Sequence, residues 1–160
     1  MLTVGQFIDS CAHETKIINH LATKLPPDQL EYRPTEGQRS MIELMRYLPR
    51  MVLPVLAYLE DGNWDRAPSF GEGVESITPD TFAAEMDTQL AEVRRVAGTL
   101  EGRLDEKTAM PWGVPCTVGQ FLVDAVLKTF VAYRMQYFLY VKASGRPDIG
   151  PAQCWMGIDP

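Results

Sequence analysis

Imidazole and thiol are the side chains best suited to hold a metal or attack a substrate near neutral pH, and this sequence has few of either: His13, His20, Cys11, Cys116 and Cys154. The two histidines stand seven positions apart. At a helical rise of about 1.5 Å per residue they lie about 10 Å apart along one helix, too far to chelate a single ion. The chemistry left to them is that of a proton donor or substrate contact at the mouth of a bundle. His13, with Glu14 beside it, is the candidate, and the alternative is an ordinary half-buried helix histidine. The cysteines are odd in number and scattered, with no C-x-x-C pair, which argues against a disulfide framework or a zinc finger. Inert buried thiols are the plainer expectation, and no metal centre is expected.

The remaining composition narrows the partners. The 15 Lys and Arg against 21 Asp and Glu leave a net charge of -6. That balance argues against a surface tracking nucleic-acid phosphates or a polybasic membrane contact, and leaves a neutral or cationic small molecule, or another protein. With 160 residues, 46% of them hydrophobic, the chain is read as one domain over residues 1–160. The opening MLTVGQFIDSC has no basic, then continuously apolar, signal-like segment, so a reducing cytoplasm is expected. Phe121 to Val141 is the most apolar stretch, but Asp124, Lys128 and Arg134 interrupt it, so it reads as a core helix and not as a membrane span.

Four helical segments must position these groups. Phe7, Ile8, Cys11, Ile17, Ile18 and Leu21 trace a stripe from Thr3 to Lys24, and Pro26-Pro27 forbid its continuation. Ser40 with Glu43 three residues on forms the S/T-x-x-E capping box that opens the second helix, which runs to Leu59 with kinks expected at Pro49 and Pro54. Asp61 to Thr78 reads as a long loop and a lid. Thr78-Pro79-Asp80 precedes a third helix carrying Phe82, Met86, Leu90, Val93, Val96 and Leu100, which Gly102 closes. Asp105 to Pro115 reads as irregular. Thr117 caps the fourth helix, Val118 to Ala143, stopped by Ser144-Gly145-Arg146-Pro147. With no strand-period segment, the fold class is all-α, a four-helix bundle with long connections.

Three stretches together, LPPDQLEYRPTEGQRSMIELMRYL, PWGVPCTVGQFL and YRMQYFLYVKASGRP, resemble the DinB/YfiT superfamily over nearly the whole chain. The resemblance implies an up-down-down-up bundle, a homodimer, and in several branches a divalent metal held by three histidines. It also implies, in some branches, thiol-dependent transferases or isomerases that use a low-molecular-weight thiol.

Placed on that pattern, the three histidine positions hold Tyr47, Thr129 and Tyr133, with Arg134 and Gln136 kept from the motif that follows the last of them. Two histidines four apart present their nitrogens on one helical face, and threonine with a neutral tyrosine does not replace them for zinc or nickel. The resemblance therefore implies a degenerate metal site. Tyr47, Thr129 and Tyr133 should converge inside the bundle, either as an aromatic plug whose hydroxyls bond to Thr129, Glu43 or water, or as a polar pocket. In the pocket reading Tyr47 and Tyr133 are catalytic and Glu43, Thr129, Arg134, Gln136 and His13 line the site. Two functions follow: a metal-independent, thiol-dependent transferase or isomerase of a small molecule, or a non-catalytic module that binds a ligand or protein and whose ancestral site has been filled in.

Overall fold

Three helix starts, those of the first, second and fourth sequence segments, are closed by side chains that take up the backbone N–H groups a helix start leaves free. In the computed structural model, which describes residues 2–160, Thr3 and Gln6 close a capping box on α1 (Val4–Ala22), and Ser40 and Glu43 close another on α2 (Met41–Tyr47). α3 (Leu53–Asp61), α4 (Phe82–Gly98), α5 (Val118–Phe121) and α6 (Lys128–Ala143) follow. Thr117 and Gln120 form the box on α5. α5 and α6 are one continuous rod joined by a π-helical stretch, Leu122–Leu127, in which the Lys128 N–H reaches back five residues to the Val123 carbonyl.

The second helix is broken more deeply than the kinks expected at Pro49 and Pro54. It passes through a 3₁₀ turn, Leu48–Arg50, and restarts as α3. The two prolines remove N–H groups, and the Val52 N–H no longer reaches the Leu48 carbonyl four residues back. The fully buried Gln89 of α4 enters that gap: its Nε2 donates to the Leu48 carbonyl at 3.0 Å and its Oε1 accepts from the Val52 N–H at 3.2 Å.

Hydrogen bonds between helices give their directions. Glu14 of α1 meets Arg134 of α6, and the Lys24 carbonyl accepts from Arg146, so these two helices run the same way. Arg50 pairs with Glu85 and Glu60 with Arg95, so α2–α3 and α4 are parallel to each other. The Arg39 carbonyl, at the head of α2, accepts from Tyr140, and Tyr47, at the end of α2, meets Tyr133, seven residues earlier on α6, which sets the two pairs antiparallel. This is the up-down-down-up order. Phe7, Ile18, Leu44, Leu48, Phe82, Val93, Phe130 and Tyr137 fill the interior.

The segment Asp105 to Pro115 departs from the expected irregular connection. It forms an antiparallel hairpin, β1 (Lys107–Ala109) with β2 (Pro115–Thr117). Met110 and Val114 are hydrogen-bonded, as are Glu106 and Val118, so Pro115 falls opposite Ala109 at a non-bonded pair, where its missing N–H costs nothing. Three residues per strand are too few for alternation to show in the sequence. The tail after Gly145 returns along α1. Ile149 and Cys154 are buried, Lys24 holds Asp159 at 2.6 Å, and Gly157, at φ 62°, would bring a Cβ within 3.2 Å of the Ile17 Cα. Among the described residues no helix is long and apolar enough to cross a membrane.

Candidate functional site

Tyr47 is the last residue of α2, and the antiparallel approach of α6 sets Tyr133 against it, with ring centroids 4.9 Å apart and planes tilted by 50°. Arg39, just before the Ser40 cap, lays its guanidinium 4.1 Å from the centroid of the Tyr47 ring. Burial, and then the neighbouring Tyr133 hydroxyl, push the Tyr47 phenol up to about 12, against the pull of Arg39. At neutral pH Tyr47 is therefore a hydrogen-bond donor and not a phenolate. Thr129 lies one turn before Tyr133, at the end of the π-helical stretch, and its Oγ1 donates to the Ala125 carbonyl at 2.9 Å. The tyrosine hydroxyls thus do not bond to Thr129 or to Glu43 as the plug reading expects.

Glu43 is held twice. One oxygen accepts from the Ser40 N–H at 2.7 Å, and Arg33 grips the carboxylate at 3.0 and 3.3 Å. These donors hold its carboxyl below the usual range. Beside Glu43 and Tyr47 opens a cleft of about 410 Å³, between α2–α3 and the Asp61 to Thr78 loop. Arg46, Arg50, Pro54, Phe70, Val74 and Glu75 complete most of its wall. Two short 3₁₀ turns, Ala67–Gly71 and Val74–Ser76, shape that loop. The loop is anchored by the buried Ile77 and by Arg46, which donates to the Glu75 carbonyl at 3.0 Å. An open, mostly apolar concavity with a few charged groups is the usual form of a small-molecule site.

No protein family model and no curated protein matches the sequence. Among solved structures, a DinB-like protein, YjoA of Bacillus subtilis, superposes with a TM-score of 0.68 at 19% identity, over 91% of this chain and 96% of that one. The fold is DinB-like. At that identity the likeness speaks for the fold alone, and the chemistry must be read from the side chains present.

Within the DinB-like fold the positions Tyr47, Thr129 and Tyr133 present hydroxyl groups and no imidazole. Tyr47 keeps its proton at neutral pH, Thr129 is committed to a backbone carbonyl, and no group of three His, Cys, Asp or Glu among the described residues is arranged to hold an ion. The other expected site residues are dispersed. Arg134 is buried away from the cleft, donating to Glu14 and to the Cys154 carbonyl, both at 2.5 Å, with Trp155 stacked on it at 4.6 Å. Gln136 faces a separate groove beside Leu139 and Tyr140. His13 donates through Nε2 to the Trp155 carbonyl at 3.1 Å. Tyr133 and Thr129 do not line the cleft, so of the expected residues only Glu43 and Tyr47 do.

Sequence reasoning passed over Arg46, Arg50, Phe70, Val74 and Glu75. The first two were within reach, because Glu43, Arg46, Tyr47 and Arg50 recur at three- and four-residue steps and mark one polar face of the second helix. The loop residues carry no such periodicity. The cysteines behave as protonated thiols: burial pushes Cys11 up to about 12 and also raises Cys116 and Cys154.

Proposed function

We propose that this chain is a single domain that binds a small molecule in the Tyr47 cleft and acts on it through its own side chains, without a histidine-held metal. The observation that carries the reading is the position of Tyr47, which borders the open cleft while it stacks on Tyr133 and under Arg39. A phenol pushed up to about 12 retains its proton at neutral pH. It can give a hydrogen bond, or the proton itself, to a carbonyl or departing anion, and Arg39 over the ring steadies the phenolate that remains. Tyr133 packs behind the ring and positions it. Transfer or isomerisation of a small electrophile with a low-molecular-weight thiol as co-substrate is the reaction class that this arrangement and the sequence resemblance jointly favour. We place the protein in the cytoplasm as a homodimer joined through the outer face of α6, where Val131 and Leu139 stand 38% and 54% exposed.

The test is a thermal-shift and ligand-observed NMR screen with small thiols and electrophiles, run on the wild type, Tyr47→Phe and Ala67→Trp. Ala67 lines the cleft, and a tryptophan there would occupy it. Hits should stabilise the native state and lose binding in Ala67→Trp, while turnover falls in Tyr47→Phe with binding retained. Ligands that bind equally well to the filled variant would overturn the reading.

A further inference from the structure

The cleft is lined by four charged side chains, and their partners divide them into two pairs. Arg50 is neutralised from outside the cleft by Glu85, at 2.7 Å, and Glu43 by Arg33, at 3.0 Å. Arg46 and Glu75 are different. Arg46 is half-buried and makes its bonds to neutral acceptors, the carbonyls of Glu75 at 3.0 Å and Ile77 at 3.4 Å, and no carboxylate among the described residues lies within 4.0 Å of it. The Glu75 carboxylate likewise has no cation within that distance. Between them run the apolar surfaces of Tyr47, Pro54, Phe70 and Val74.

A wall with one uncompensated cation, one uncompensated anion and an apolar floor is complementary to a molecule with the mirror arrangement. A ligand bearing a single charge would satisfy one group and leave the other, half-buried Arg46 or exposed Glu75, without an oppositely charged partner, so electrostatic complementarity favours the molecule that carries both charges. We infer that the occupant is a zwitterion of the α-amino-acid type: a carboxylate for Arg46, an ammonium for Glu75, and an aromatic or branched apolar body against Phe70 and Tyr47. The inference rests on the cleft reading above and deepens it by naming the ligand class. It also agrees with the acidic balance of the chain, since a zwitterion carries no net charge to be repelled.

The experiment compares four probes that share one phenyl body and differ only in charge: L-phenylalanine, 3-phenylpropionate, 2-phenylethylamine and 2-phenylethanol. Affinities are measured at low ionic strength by ligand-observed NMR on the full chain. L-phenylalanine is expected to bind at least about tenfold tighter than either singly charged probe, the scale of one charge-assisted hydrogen bond. Arg46→Gln should reduce it to the level of the amine, and Glu75→Gln to the level of the propionate. Because Arg46→Gln also releases the carbonyls of Glu75 and Ile77, Glu75→Gln, which keeps those bonds, is the decisive variant. Equal affinity for the zwitterion and the alcohol overturns the inference. So does a zwitterion preference that neither variant moves, or no binding of any of the four. If the alcohol binds as well as L-phenylalanine and is lost in Ala67→Trp, the inference falls while the cleft reading stands. If ligands ignore Ala67→Trp, the cleft reading itself falls.

Discussion

Replacing Glu14 with leucine removes one half of a charge pair that has almost no water around it: the Arg134 side chain is 2% exposed and that of Glu14 11%. What remains around the guanidinium is the Cys154 carbonyl at 2.5 Å, the Cys154 Sγ at 3.5 Å and the face of Trp155 at 4.6 Å, none of which carries a compensating charge. A buried ion left without its partner costs about 3–5 kcal/mol. In a chain of this size each kcal/mol is worth about 2–4 °C, so the midpoint should fall by about 6–20 °C. The double variant Glu14→Leu with Arg134→Met removes both charges and strands only the Cys154 carbonyl, a cost of about 1–3 kcal/mol. The double variant should therefore be more stable than Glu14→Leu alone. Urea unfolding followed by tryptophan fluorescence, completed as a double-mutant cycle with Arg134→Met, measures both. A loss under about 1 kcal/mol in Glu14→Leu, or a double variant less stable than the single, would refute the idea that this pair is a locked structural tie between α1, α6 and the tail.

Gln89→Leu keeps the volume but strands the Val52 N–H in the core, at about 1–3 kcal/mol, and leaves the Leu48 carbonyl only the Met51 N–H at 3.4 Å, and calorimetry should show the loss; a neutral result would mean that the break in the second helix closes its own bonds. Tyr137 is fully buried with a hydroxyl that has no partner, so Tyr137→Phe should be neutral or stabilising by up to about 1 kcal/mol in urea unfolding, and a clear destabilisation would contradict it. For Tyr47, raised in the fold above the ordinary phenol value of 10, the neutral form is favoured by folding. That contribution is complete below pH 10 and is lost as pH climbs towards 12. Ultraviolet titration of wild type against Tyr47→Phe should place the difference signal near the upper value, and a midpoint at 10 would show that the ring is solvated.

The parts of this molecule legible in its sequence are those made by residues within about four positions of each other. Ser40 with Glu43 and Thr117 at the head of the fourth helix place two helix starts, Pro26-Pro27 stop the first helix, and the apolar stripes place the helices between. The Pro49 and Pro54 disruption was legible too, though not its depth, because the glutamine that makes the break tolerable comes from α4. The approach of Tyr47 to Tyr133 followed once the motif was aligned on helices that run in opposite directions. Of the rest of the cleft, Glu43 and the helical spacing shared by Arg46 and Arg50 were legible, and the loop residues Phe70, Val74 and Glu75 were not. Arg134, expected in a pocket, is instead matched by Glu14, 120 residues earlier, and the hairpin is too short to show a period. Whether a charged side chain is free or already satisfied depends on which distant group folds against it. Arg46 and Arg50 lie one turn apart on the same face, yet Glu85 neutralises one and backbone carbonyls hold the other. Local hydrogen bonds and periodicity set where helices begin, end and turn their apolar faces; long-range contact alone decided which charges were left without an oppositely charged partner.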